Sequence, residues 1–342
     1  MRWRLMMSVL LGVTLTSGKE IKPCWAQQQY RVAEEHPRDA DLPIPDALIP
    51  SSQVAKFRLI LGRLSLDPPA HIKCERTAEL ACGGSERVEV TACRGIPSLH
   101  YQFSSQTRNL TVNVTAAEHV RIKSVVDNTD VNEILKLDQP AQGLLELTLI
   151  SKDRATGETN HNRFKIASLV HLRVSYPQLY QDHIAPTLAR LLQYKPATCE
   201  AIDLVAALTD TSVAGQTLHA RVDELVEELR SADRERRNGA EQELCSIGLP
   251  ALCLIDQTLR NRTDLETEQL LRLRRVRGII SPKGSDNRRQ LARWLASDIA
   301  YWNLVASELS GAQLQAVDQH VATLTGQPLR PQLRVADARG RR

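Results

Sequence analysis

Apolar and polar residues alternate from Val88 to about residue 167. Val88, Val90 and Ala92 are spaced by Glu89 and Thr91, and Leu99, Tyr101 and Phe103 by His100 and Gln102. Leu110, Val112 and Val114 repeat the pattern, as do Val120, Ile122 and Ser124, then Leu145, Leu147 and Leu149. A last strand falls near Arg163 to Ala167. A period of two puts every apolar side chain on one face of a strand. The links are short, as in Arg94 to Pro97 and Ser151 to Gly157. They predict an antiparallel meander, because parallel strands need crossovers of a dozen or more residues. Upstream, Val54, Phe57 and Leu61 stand at helical spacing. They predict a short helix capped by Ser51 or Ser52 and stopped at Asp67-Pro68-Pro69. Residues 51–167 are thus read as a short helix plus an antiparallel β domain.

From Ser168 the period becomes helical. Helices are expected from Ala167 to Tyr176, around Leu179 to 193, from Pro196 to Leu208 and over Gln216 to Arg230. In the last of these, Leu218, Val222, Leu225, Val226 and Leu229 share one face. Asp233 is placed to cap a helix that ends at Gly248, where a left-handed residue closes it. Leu249-Pro250 restarts the helix, with proline in its first turn. Thr263-Asp-Leu-Glu266 reads as the capping box of a third helix. Trp294 and Trp302 anchor two or three further helices up to about residue 327. The fold class is therefore α+β: an N-terminal β-meander or sandwich-like domain, then an all-α domain over residues 168–327. The Arg-rich segment 328–342 carries no apolar pattern and reads as a disordered basic tail.

The first 26 residues read as an export signal. Arg2 and Arg4 precede an apolar run from Leu5 to Leu15, 11 residues long. A bilayer span needs about 20. Cleavage is expected after Ala26, with Gly18 as the alternative. Cys24 follows Ile-Lys-Pro, which does not suit lipidation. Residues 27–50 hold Pro37, Pro43, Pro45 and Pro50 and read as a flexible leader. Export sends the chain to the periplasm or the exterior, where disulfides persist. Removing Cys24 from seven cysteines leaves six. Cys245 and Cys253 flank the Gly248 bend, and Cys74 and Cys93 flank Gly83-Gly84, so these two pairings are candidates. Buried free thiols are the competing reading.

Composition and charge narrow the function. The 342 residues are 42% hydrophobic and 25% charged, which excludes a polytopic membrane protein and a low-complexity polymer. The net charge is +4, and +1 without residues 1–26, so no global field steers the chain to nucleic acid. Residues 260–293 carry 10 Lys or Arg against 4 Asp or Glu. They lack the interleaved aromatics of a nucleic-acid face, and read as a solvated helix face or a patch for an acidic envelope partner. No serine elbow, phosphate-binding loop or His-Glu-x-x-His pair is present.

The stretch Ser231 to Arg262, with Glu-Leu-Cys-Ser-Ile-Gly-Leu-Pro-Ala-Leu at its centre, resembles a HEAT-type helical hairpin. More broadly, residues 167–327 resemble a family of uncharacterised secreted bacterial proteins. The shared features are Ser168-Leu-Val-His171-Leu172, the run from Pro177 to His183 and Leu291 to Asp298. Val170 departs from the family, where an aromatic is usual. The resemblance implies architecture and export and carries no activity. His171 and His183 are the candidate site residues: both fall on helices near the β/α junction, where they would bind a metal or act as a base. The competing reading makes each a hydrogen-bonded packing residue. His100 and His119 lie on or beside strands and are expected to face solvent.

The expected function is a non-catalytic protein-interaction or scaffolding module of the cell envelope. It takes no cofactor, and its partner is another envelope or secreted protein. The alternative is an envelope enzyme or metal-binding protein using His171 and His183. The intact mass of the protein exported from a bacterial host is expected to start at Gln27. A mass starting at Met1 contradicts export.

Overall fold

The computed structural model describes residues 54–69, 73–80, 83–127, 131–210 and 217–330. The signal, the leader, Cys24, Cys82 and the chain beyond Arg330 lie outside them. The protein is α+β, with a single antiparallel meander followed by helices. Eight strands pair in the order of the chain: β3 (Lys73–Glu79), β4 (Ser85–Cys93), β5 (Ile96–Ser104), β6 (Arg108–Thr115), β7 (His119–Asp127), β8 (Val131–Gln139), β9 (Leu145–Asp153) and β10 (Thr159–Ile166). The alternating residues fall on the buried face as the pattern requires: Val88, Val90, Tyr101, Val112, Val120 and Leu147 are all in the core.

Two strands lack that pattern for physical reasons. In β8 the inner face carries Leu135 and Leu137, but also Glu133 and Gln139, both buried. The two polar residues interrupt the apolar alternation. β3 is an edge strand, paired only with β4, and none of its residues is fully buried. A strand that buries nothing has no need of apolar side chains.

The segment expected as a short helix is instead a hairpin. β1 (Phe57–Ile60) and β2 (Arg63–Leu66) pair antiparallel around Leu61-Gly62. Both turn residues have positive φ, 51° and 66°, as a two-residue hairpin turn requires. Spacings of three and four had suggested a helix, but the buried residues are Phe57, Leu59, Leu64 and Leu66, at a period of two. The hairpin does not join the large sheet as a strand. Its four buried residues enter the core beneath that sheet, and Leu61 at its tip enters the core of the helices.

The tip is held from both sides. Asp286 accepts the N–H groups of Leu61 (2.5 Å) and Gly62 (2.7 Å), and its own N–H donates to the Leu59 carbonyl (2.7 Å). The Gly62 carbonyl accepts the N–H of Leu169 at 2.9 Å. A Cβ on Gly62 would lie 2.7 Å from Val170 Cγ2, so backbone angle and contact both demand glycine here. At the base, the Gln139 side chain accepts from Leu64 N–H (2.9 Å) and donates to the carbonyls of Leu64 and Glu118. This explains a buried amide on the inner face of β8.

Two residues separate the last strand from α1 (Leu169–Ser175), whose N-cap is Ser168. α2 spans 177–191 and changes pitch inside: Pro177–Leu179 is α, Tyr180–Ile184 is π, and Ala185–Leu191 is α. Pro186 lacks an N–H, and Ala185 N–H reaches back five residues to Tyr180. α2 lies on the inner face of the sheet, burying Tyr180, Ile184, Leu188 and Leu191. There follow α3 (Ala201–Asp210), α4 (Leu218–Glu228), α5 (Arg234–Ile247), α6 (Leu249–Asn261), α7 (Thr267–Ile280), α8 (Arg288–Leu295), α9 (Ile299–Val305) and α10 (Gly311–Thr325).

Asp233 caps α5, and Gly248 separates α5 from α6 at φ 74°, ψ −140°, a region open in practice only to glycine. α3 begins at Ala201, after the expected Pro196. The start of α7 also differs from expectation. Its N-cap is Glu266 and not Thr263, and Gln269 accepts the Glu266 N–H at 2.9 Å. Gln269 in turn donates to the Val226 carbonyl, which ties the start of α7 to the end of α4.

Burial raises the Asp286 carboxyl to about 6, against the pull of the two N–H groups. The folded state therefore takes up this proton before the unfolded one. The stability it contributes is complete below pH 4 and is lost as pH rises through 6. At most the effect is about 3 kcal/mol. Denaturant unfolding between pH 4 and 7 is expected to show a stability decline that Asp286→Asn removes.

Candidate functional site

Three residue types familiar from catalytic triads meet at the junction of sheet and helices. Ser168 caps α1, accepting the Val170 N–H at 3.2 Å. Its hydroxyl lies 2.9 Å from Nδ1 of His171, one turn along. His171 Nε2 is 3.0 Å from Asp298, and Asp298 caps α9 by accepting the Tyr301 N–H at 3.1 Å. Trp294 and Tyr301 enclose the imidazole edge to face.

The chemistry open to this chain is limited by access. Ser168 is 0% exposed and its oxygen is spent on the helix cap. A nucleophile needs room for an acyl or phosphoryl group beside it. Burial opposes ionisation of Asp298, but His171, the Tyr301 N–H and the Cys253 thiol together hold its carboxyl below the usual range. Burial pushes the Cys253 thiol well up, and Asp298 adds to this. The chain joins the N-termini of α1 and α9.

His183 lies in the π segment of α2, under the sheet. Its Nδ1 is 3.1 Å from the Ser124 hydroxyl and its Nε2 is 3.5 Å from a Glu133 carboxylate oxygen. Both partners project from the inner face of the sheet, on β7 and β8. The two histidines thus occupy separate buried networks with no partner in common. Among the described residues, no group of three or more His, Cys, Asp or Glu is placed to hold a metal ion. His100 is bonded to Asn113 across the outer face, and His119 to Asp138.

The described cysteines, Cys74, Cys93, Cys199, Cys245 and Cys253, are free thiols, so neither candidate disulfide is formed in this structure. Cys74 stands opposite Val90 and Cys93 opposite Ile96, three positions out of register. Cys253 is buried and turned toward Asp298, while Cys245 is only partly buried. Part of the cation-rich stretch is paired within the fold. Arg262 pairs with Glu227 and Asp264, Arg272 with Glu241 and Glu268, Arg277 with Asp256, and Arg288 with Asp203.

Between the hairpin, the β8–β9 turn and helices α6 to α8 lies a cleft of about 340 Å³. Ile60, Leu64, Leu259 and Trp294 supply apolar wall, and Arg63, Arg260, Arg277 and Asp256 supply charge. Asp298 and Cys253 line its inner side, so the His171 chain buttresses the cleft from behind. Arg63 donates to the carbonyls of Gly143 (2.8 Å), Ala167 (3.3 Å) and Pro140. Burial lowers its guanidinium to about 10, and Arg277 adds to the effect.

The sequence marked Arg260 and Arg277 only as members of a cation-rich stretch, and did not mark Arg63, Asp256 or Asp286. Asp286, Arg63 and Asp256 are single residues whose partners lie tens to hundreds of positions away. The one local signal is Arg63 inside the apolar run Phe57 to Leu66.

His171→Ala leaves the buried Asp298 carboxyl without its imidazole hydrogen-bond partner, so a loss of about 1–3 kcal/mol is expected. Denaturant unfolding measures it, and a loss below about 1 kcal/mol contradicts the structural role. No protein family, curated protein or solved structure matches the chain.

Proposed function

We propose that this protein is a non-catalytic interaction module of the bacterial cell envelope, and that the cleft between sheet and helices receives a segment of its partner. The export signal read from residues 1–26 and the resemblance to secreted proteins support the location. One observation carries the reading of the cleft. It is built jointly by the hairpin, the sheet turns and three helices, and it is open, whereas the serines and histidines suited to chemistry are buried and engaged. Binding sites favour such junctions between layers.

The alternative, an envelope enzyme or metal-binding protein using His171 and His183, has less support. Each imidazole is enclosed in its own network, and Ser168 serves as a cap.

A photo-crosslinking residue at Gln142, on the exposed rim of the cleft, is expected to trap one protein adduct of defined mass in the native envelope. The same residue at Glu235, exposed on α5, is expected to trap none. No adduct at Gln142, or equal adducts at both positions, overturns the proposal.

A further inference from the structure

Arg63 is a half-buried cation whose hydrogen bonds, among the described residues, all go to neutral carbonyls. Three carbonyls take up two of its nitrogens, which satisfies donors but supplies no counter-charge. Asp256 and Glu118 act on it through space, and Asp256 is already engaged by Arg277 at 2.7 Å. Asp298, the third carboxylate of the lining, is engaged by His171. Arg260 adds a second cation to the same cleft, exposed on α6. Once the paired groups are set aside, Arg63 and Arg260 face only Glu118. A guanidinium presents a planar fork suited to a carboxylate or phosphate.

The opposite requirement is apolar. Ile60, Leu64, Leu259 and Trp294 share the cleft with the two arginines. Trp294 is only 6% exposed, and its buried indole nitrogen has no hydrogen-bond partner among the described residues. A buried indole N–H usually finds an acceptor. The two arginines and the apolar wall together ask for a negatively charged group attached to a hydrophobic body.

We infer that the cleft binds an oxyanion carried on an apolar body, with the anion held by Arg63 and Arg260 and the body laid against Trp294. This rests on the cleft being the binding face. The shared chemistry has two sources: a small amphiphilic acid, or the carboxylate at the end of a hydrophobic peptide chain.

Calorimetric titration of the full exported chain tests it with probes that share a body and differ in head group. Octanoate is expected to bind at least tenfold more tightly than octylamine or octanol. Acetyl-Leu-Val-Ala-Leu with a free carboxylate is compared with its amide. Tighter binding of the peptide acid than of octanoate identifies a chain terminus, and the reverse identifies an amphiphile. Arg63→Met is expected to abolish the preference for the acid. Because Arg63 also holds three carbonyls, Arg260→Glu serves as the second variant, expected to weaken octanoate at least threefold with the melting temperature kept. Added salt is expected to weaken octanoate more than octanol.

Equal affinity for octanoate, octylamine and octanol overturns the inference, as does unchanged octanoate binding by Arg260→Glu. So does the absence of binding by every probe. In each case an adduct at Gln142 still leaves the interaction module standing, so the two readings fail separately.

Discussion

A buried carboxylate gripping the tip of a ten-residue hairpin holds the two halves of this protein in register. Asp286 turns its oxygens to the N–H groups of Leu61 and Gly62 and gives its own N–H to Leu59. An isolated two-stranded hairpin is marginal in water. Here β1 and β2 pair only with each other and depend on the two cores that enclose them. Four of their side chains complete the core under the sheet, and Leu61 completes the other. Removing the grip exposes two peptide donors in a buried place, at a cost of about 1–3 kcal/mol each. The cleft inherits this geometry, because Ile60, Leu61, Arg63 and Leu64 are hairpin residues.

Two buried networks each join a serine, a histidine and a carboxylate. The first joins two helix N-termini, through Ser168 and Asp298. The second fixes the π turn of α2 against β7 and β8. A low-dielectric interior makes a filled network specific and an unfilled one costly. Residue types alone do not separate such a clamp from a catalytic chain. Accessibility of the hydroxyl does, and Ser168 and Ser124 are both fully buried. Arg63 is the contrasting case, a charge whose partners within the fold are neutral and whose open side is the cleft.

How far the architecture was legible depended on whether a segment had one dry face. β5, β6 and β9 each bury a continuous apolar stripe, β4 and β7 one interrupted only by Glu86 and Ser124, and alternation found them. β8 carries Glu133 and Gln139 on that face, because each serves a buried partner elsewhere, and alternation was lost. The Phe57 to Leu66 run misled for a different reason. A short apolar segment satisfies helical and strand spacings together, and the turn at Leu61-Gly62 was decided by Val170, Ser168 and Asp286. The α7 cap shifted from Thr263 to Glu266 for the same kind of reason, since Gln269 is held by the Val226 carbonyl.

By itself the sequence determined the α+β class, the antiparallel meander, the change to helices after residue 167 and the α5–α6 bend at Gly248. Each follows from periodicity, glycine or proline acting over a few residues, where covalent connection alone brings the groups together. Only the tertiary structure decided that the first hairpin belongs to both cores, that His171 and His183 lie in separate networks, and that Arg63 faces a cleft. Those outcomes rest on contacts between residues up to 225 positions apart, such as Leu61 with Asp286. No local pattern encodes them, because an isolated polar residue reads the same whether its distant partner is water, a carbonyl or a carboxylate.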